Sequence, residues 1–217
     1  MISENVLSAD NQQERPVIFV EKQKFKWESS ETTRRSPLER KIIISYLDGA
    51  IHDASLNKSK RIRFVQKYRE WLVVLQDFLK KIGYNSWIYK EGKTRDLWVL
   101  ETLCTDLSFT TDLLLLETKE EKVAYIKGFF DAEGGIPRNG KRFYIQLSQK
   151  NLKKIKALKS TLENLGINCG KIHNPSFRVD SDYWRVFVSS DSYLKFAQEI
   201  GSYHPIKLKI FRQRMKI

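Results

Sequence analysis

Cysteine is nearly absent from this 217-residue chain. The two present, Cys104 and Cys169, form neither a disulfide framework nor the paired spacing of a zinc site. Both read as reduced, small core residues. No apolar run reaches the length needed to cross a bilayer, and the first residues lack the apolar centre of a signal peptide. The expectation is a soluble intracellular protein, of the cytoplasm or an organelle matrix and off the membrane. A phosphate-cradling glycine loop and a nucleophile triad are missing too, which leaves a small basic enzyme of another class without support. Negative charge is short: 26 Asp and Glu stand against 39 Lys and Arg, a formal charge of +13. That excess points to a polyanion as partner, nucleic acid before membrane. What is plentiful is apolar surface, 41% of residues with 12% aromatic, enough for one large domain or two small ones with real cores.

The chain is organised around residues 124–135, Ala-Tyr-Ile-Lys-Gly-Phe-Phe-Asp-Ala-Glu-Gly-Gly. As a helix, this stretch stacks Ala124, Gly128 and Ala132 on one face, a ridge so bare that a second helix backbone can come close. Glu133 then falls at the helix C-terminus, where the dipole is negative and an anion needs a cation nearby. Gly134 and Gly135 are expected to stop the helix and free the chain to turn.

Residues 1–36 read as an irregular polar arm broken by Pro16 and Pro37. From Pro37 to about Ala54 the pattern is helical. Lys58 to Gln66 then alternates Arg and Lys with Ile and Phe, the period of a strand with one apolar and one cationic face. Residues 68–82 form an amphipathic helix stopped by Gly83, and Ser86–Lys90 pairs with Asp96–Glu101 as a hairpin. Phe109 to Leu116 is expected to be a short apolar helix. The same order then recurs: a strand over Lys141–Ser148, a helix over Asn151–Leu165 stopped by Gly166, a hairpin of Cys169–His173 with Tyr183–Ser189, and a helix over Ser192–Ile200. A basic helical tail, Pro205 to Ile217, closes the chain.

Gln66 to Gly83 and Gln149 to Gly166 each span 17 residues, and Leu79-Lys-Lys-Ile-Gly-Tyr84 lines up with Leu162-Glu-Asn-Leu-Gly-Ile167. Gly49 and Gly128 lie 79 apart. The chain is an internal duplication, each half running helix, two strands, helix, two strands, helix. The expected boundaries are an arm over 1–36, a first half over 37–117 and a second over 118–217.

These residues resemble the LAGLIDADG homing endonucleases in their monomeric, two-motif form. Ile126-Lys-Gly-Phe-Phe-Asp-Ala-Glu-Gly134 matches the family signature, with Glu133 at its acidic metal-binding position, and Leu47-Asp-Gly-Ala-Ile-His-Asp-Ala-Ser55 is a degenerate copy. Gln66-Lys67 and Gln149-Lys150 stand where the family carries a polar pair closing the strand before the middle helix. The resemblance implies an α+β fold of two pseudo-symmetric αββαββα halves, whose two antiparallel sheets make a DNA-binding saddle around a central pair of signature helices. It also implies hydrolysis of a long, asymmetric double-stranded DNA target with Mg2+ or another divalent cation, in the service of intron homing. The implied metal positions are Glu133 and Asp53, with Ala54 and Gly134 beside them. Gln66 and Gln149 would orient water, and Lys67 and Lys150 would offset developing negative charge. Alternating strand faces would present Lys58, Lys60, Arg61, Arg63, Lys90, Arg95, Arg138, Lys141, Arg142, Arg178 and Arg185 to the nucleic acid, phosphates before bases.

The first motif departs from the pattern. A shift of 79 sets Ala54, not an acid, opposite Glu133, and puts Asp53 at the small-residue seam position of Ala132. Either the helix end moves by one residue and Asp53 takes the metal position, or this half has no metal-binding acid. The first is favoured because an unpaired buried carboxylate is costly. The second leaves a nicking or non-cleaving protein on the same scaffold, an intron RNA maturase or a DNA-binding regulator. His52 reads as a hydrogen-bonded bystander, and His173 and His204 as structural.

Overall fold

The computed structural model describes residues 36–92, 95–138 and 142–215. The arm, apart from Ser36, and Lys141 lie outside the described residues. Helix α1 (Pro37–Ala50) starts where Ser36 accepts a hydrogen bond from the Glu39 amide and Pro37 fills the first turn. After a 3₁₀ turn over Ile51–Asp53 come strands β1 (Ala54–Leu56) and β2 (Ile62–Gln66), helix α2 (Arg69–Lys81), and strands β3 (Ser86–Lys90) and β4 (Trp98–Thr102). These four strands form an antiparallel sheet in the order β1-β2-β4-β3.

The second half opens with α3 (Lys119–Glu133), fixed by a capping box in which Thr118 and Glu121 satisfy each other's backbone amides. Then follow β5 (Gly134–Gly135), β6 (Gln146–Gln149), α4 (Leu152–Asn164), β7 (Trp184–Phe187), α5 (Tyr193–Glu199) and α6 (Pro205–Met215). Strands β5-β6-β7 make a second antiparallel sheet, extended by isolated bridges from Cys169 to Val188 and His173 to Arg185. Gly83 and Gly166 carry φ of 90° and 73° just past α2 and α4, the left-handed backbone that ends a helix cheaply with glycine.

Each half has its own apolar core. One gathers Trp71, Leu72, Leu75 and Leu79 of α2 under Phe64 and Leu100; the other gathers Phe129, Phe130, Leu158 and Leu162 with Phe196 and Phe211. Between them α1 and α3 pack backbone to backbone. A Cβ on Gly49 would lie 2.1 Å from the Tyr125 carbonyl oxygen, and one on Gly128 would lie 2.0 Å from that of Tyr46. The contact is reciprocal in a second way. Tyr46 Oη donates to Asp131 Oδ2 at 2.8 Å, and Tyr125 Oη lies 3.0 Å from His52 Nε2. Residues 46 and 125, and 52 and 131, are each 79 apart, so the same pseudo-two-fold relates both bonds.

Several elements differ from the sequence expectation. Lys58–Gln66 is not one strand: Asn57 Oδ1 accepts from the amides of Ser59 and Arg61, and Lys60 adopts φ 58°, which makes a hairpin turn between β1 and β2. The alternating charges over 58–61 mimicked strand period in what is a loop tip. The expected helix over Phe109–Leu116 shrinks to a 3₁₀ turn at Leu113–Leu115, capped by Asp112. Gly134 does not turn the chain. It has extended φ and ψ of −77° and 140°, and glycine is needed there because a Cβ would lie 2.1 Å from the Phe130 ring.

Gly128→Ala has nowhere to put its methyl except into backbone, so it is expected to cost about 3 kcal/mol or more of unfolding free energy in denaturant melts, the top of the overpacking range. Gly170→Ala, where the added carbon would sit 3.6 Å from its nearest neighbour, is the control and should stay within about 1 kcal/mol.

Candidate active site

The site lies where the two seam helices end. Helix α3 keeps its α geometry through Glu133 and passes straight into β5; α1 gives way after Ala50 to the 3₁₀ turn that ends on Asp53, next to β1. A 3₁₀ helix rises about 2.0 Å per residue against 1.5 Å for an α-helix. Three residues from Ala50 to Asp53 therefore climb about 6 Å, as do four α-helical residues from Phe129 to Glu133. The tighter winding makes up for the missing residue. Asp53, not Ala54, is the counterpart of Glu133, and Ala54 and Gly134 are the first residues of the two strands that follow.

The two carboxylates act on each other. Burial first, and then the charge of Glu133, push Asp53 up to about 7, while Lys207 pulls it down. Glu133 is likewise raised by burial and relieved by Lys207. Gln66, at the end of β2, donates from Nε2 to Asp53 Oδ2. In the other half, Gln149 Oε1 accepts from the Lys150 amide at 2.7 Å, and Ser148 Oγ donates to the Glu133 carbonyl at 3.3 Å. Lys67 is exposed just past β2. Lys150 points to Asp180, 3.0 Å from Nζ to Oδ2, in an exposed pair. The structure thus brings Asp53, Glu133 and Gln66 together, and leaves the two lysines at the rim.

Lys207 was missed by sequence reading. It lies on α6, and its Nζ donates to the carbonyl oxygens of Phe130 and Asp131, the latter at 2.9 Å. The ammonium also stands 4.8 Å from the centre of the Phe130 ring. Burial lowers it to about 8 against the opposing pull of Asp131, Asp53 and Glu133. Nothing local marks it, because it looks like one more base in a basic tail. His52 turns away from the acids toward Tyr125 and Lys154, 3.1 Å from the lysine Nζ; burial and that neighbour push it down to about 4, so it is neutral. Burial and Lys207 also lower His204 to about 4, and its ring packs 5.4 Å from that of Trp71.

Each sheet also has a face turned away from its core side. Register puts Arg63, Glu101, Trp87, Tyr89, Val65 and Val99 on one face of the first sheet, with Phe64, Leu100 and Trp98 on the core side. Glu101 is buried there beneath Arg61 at 3.2 Å, Arg63 at 3.7 Å and the Tyr89 hydroxyl at 3.0 Å. Arg61 lies 5.1 Å over Trp87, and Arg63 also pairs with Glu91. Lys58 and Lys60 are exposed on the β1–β2 turn; Lys90 and Arg95 flank the β3–β4 turn, pairing with Asp96 at 3.6 Å and Glu91 at 3.8 Å. On the second sheet Arg185 shares a face with Gln146, Ser148 and Phe187, and its buried Nε has no hydrogen-bond partner. Arg138 stacks on Tyr68 at 5.2 Å, while Arg142 and Arg178 are exposed. Glu101 and Glu91 are what sequence reading overlooked on this face: they hold two of the arginines in place.

Among the described residues no three His, Cys, Asp or Glu side chains cluster as a metal site. A pair of carboxylates, both raised by burial and Asp53 also by the charge of Glu133, still suits a hard divalent cation that keeps several waters and takes oxygens from a phosphate ligand. The residues present fit such an ion.

Residues 120–201 match the family model for the LAGLIDADG-like domain. Over 89 residues the chain is 35% identical to the homing endonuclease I-ApeI of Aeropyrum pernix, a match that covers 41% of this chain and 38% of that protein. The chain therefore aligns with well under half of that relative. In fold it is similar to I-DmoI in complex with DNA and Mn, with a TM-score of 0.57 at 22% identity over 76% of this chain and 99% of that one. It is also similar to full-length DUF199/WhiA from Thermatoga maritima, with a TM-score of 0.56 at 18% identity over 86% of this chain and 64% of that one. At these identities the two structures speak for the fold alone.

The convergence of the acids has a pH signature. Because Asp53 rises from 3.8 to about 7 in the folded state, the folded protein holds a proton there that the unfolded chain has lost. That stabilisation is complete below 3.8 and is lost as pH climbs through about 7. In chelator-treated protein Asp53→Asn, which never ionises, should therefore gain stability relative to wild type across this window in denaturant melts. A difference that does not vary with pH contradicts the raised carboxyl of Asp53.

Proposed function

We propose that this chain, whose residues 120–201 match the LAGLIDADG-like domain and whose described body has the fold seen in I-DmoI, is a site-specific DNA endonuclease. It hydrolyses phosphodiester bonds on both strands of a long, asymmetric duplex, using Mg2+ or another divalent cation. Because both acid-bearing helices belong to one chain, halves 37–117 and 118–217 do the work of two subunits and the protein acts as a monomer. The observation that carries this reading is the meeting of Asp53 and Glu133 at the seam, each carboxylate raised by burial and Asp53 also by its partner's charge.

Asp53 and Glu133 would hold the cation, with the backbone at Ala54 and Gly134 beside them. When bound, such an ion lowers the pKa of a water and relieves charge on the transferring phosphoryl group. The chain supplies the rest. Gln66 fixes the Asp53 carboxylate through its amide, and Gln149, at the matching strand end, is placed to orient a water. Lys67 and Lys150 are free to swing to the scissile phosphates, Lys150 by giving up its exposed partner Asp180. Lys58, Lys60, Arg138, Arg142 and Arg178 position the backbone, with Lys141 beside them in sequence. Arg61 and Arg63, held by Glu101, Glu91 and Trp87, and Arg185, with its unpartnered Nε, are suited to base edges in the major groove.

Glu133→Gln is expected to lower divalent-dependent cleavage of target duplex by at least about 100-fold while binding persists. Retained cleavage in that variant would rule out the assignment. Binding should weaken steeply as salt rises, because phosphate contacts release counterions.

A second reading rests on the shortened first motif: a nicking or non-cleaving protein, such as an intron RNA maturase or a DNA-binding regulator. Asp53→Asn separates the two. If wild type cuts both strands and the variant only nicks, the endonuclease reading stands. If wild type never cuts and prefers folded intron RNA to duplex DNA in competition, the second reading replaces it.

A further inference from the structure

The acid ends of α1 and α3 collect an unusual amount of negative charge. The charge of Glu133 reaches Asp53, and Asp131 lies buried two residues before Glu133, bonded to Tyr46, Ser202 and the Tyr203 amide. The C-terminal carbonyls of α3 add the negative pole of that helix. The cation that opposes all of these is Lys207. It binds the carbonyls of Phe130 and Asp131, and its charge acts on Asp131, Asp53 and Glu133 together. Its helix, α6, has no equivalent among the described residues of the first half, which passes from β4 through a 3₁₀ turn directly to α3. The clamp is therefore one-sided and anchors the α3 acid alone.

We propose that Lys207 is the resident counter-ion of the acid pair, a positioning residue whose ammonium ties the end of α3 to α6 and balances Asp53, Glu133 and Asp131 while no divalent cation is bound. The lysine thus keeps the centre assembled before DNA and metal arrive, and makes the two acid positions unequal from the start. The arrival of DNA and metal rests on the proposed function; the bonds of the Lys207 ammonium to the end of α3 do not.

A double-mutant cycle separates this role from a purely structural clamp. Lys207→Gln keeps N–H donors for the two carbonyls but drops the charge. In chelator-treated, full-length protein it should lower the folding equilibrium constant. In an Asp53→Asn, Glu133→Gln background the same change should cost less by at least about fivefold, because the groups that needed the cation are gone. Folding of Lys207→Gln only in the neutral background is the same result in a stronger form. Equal losses in both backgrounds, or failure to fold in both, leave Lys207 a carbonyl clamp and overturn the proposal. The outcome is independent of the nuclease reading, which fails instead if Glu133→Gln goes on cleaving.

Discussion

Everything in this molecule depends on two helix backbones coming closer than side chains normally allow. Gly49 and Gly128 each face a carbonyl oxygen of the opposite helix at a distance where a Cβ could not exist. Dispersion between closely packed backbones gains little per atom pair, but here it is spread along a whole seam. The tyrosines 46 and 125 then cross that seam in both directions, each ending on a polar group of the other helix. The two apolar clusters are distinct, yet each borrows from the other half: Ala124 of α3 packs into the first and Leu113 into the second. What the seam adds is placement: it fixes where two helix ends fall relative to each other.

Placement is costly at those ends, because it assembles like charges in a partly buried position. The chain meets the cost with fixed counter-charges. Lys207 serves the seam acids, and the same logic appears with opposite sign on the open face of the first sheet. There Glu101 and Glu91 neutralise and orient Arg61 and Arg63. A guanidinium held over Trp87 would lose less freedom on meeting a ligand than one waving in water. A formal charge of +13 suits the polyanion of the proposed function; the few buried carboxylates decide which cations are held in a defined geometry.

Much of this was legible in the sequence. The duplicated spacing from Gln66 to Gly83 and from Gln149 to Gly166, the small-residue ridge through Gly128, and the acid at 133 are local patterns, and they became the repeated strand end, helix and stop, the seam, and the helix tip. Other features were hidden for physical reasons. Asp53 was favoured for the metal position, but the change of helical winding that carries it there is nothing a count at 79 residues registers. Strand β1 is three residues of Ala-Ser-Leu with no periodicity to read, and the Lys-Arg turn after it imitates a strand. Lys207 is 74 residues from Glu133, and only tertiary packing makes it a neighbour. The carboxylates beneath Arg61 and Arg63 belong to β4 and to the turn before it, so their partners were fixed by register and not by sequence proximity.

The most direct test of the account is anomalous X-ray scattering from crystals of the protein soaked in Mn2+. The account predicts a manganese peak bounded by the Asp53 and Glu133 carboxylates at the tips of the two seam helices. Manganese bound only elsewhere, with those two carboxylates pointing apart, would contradict it.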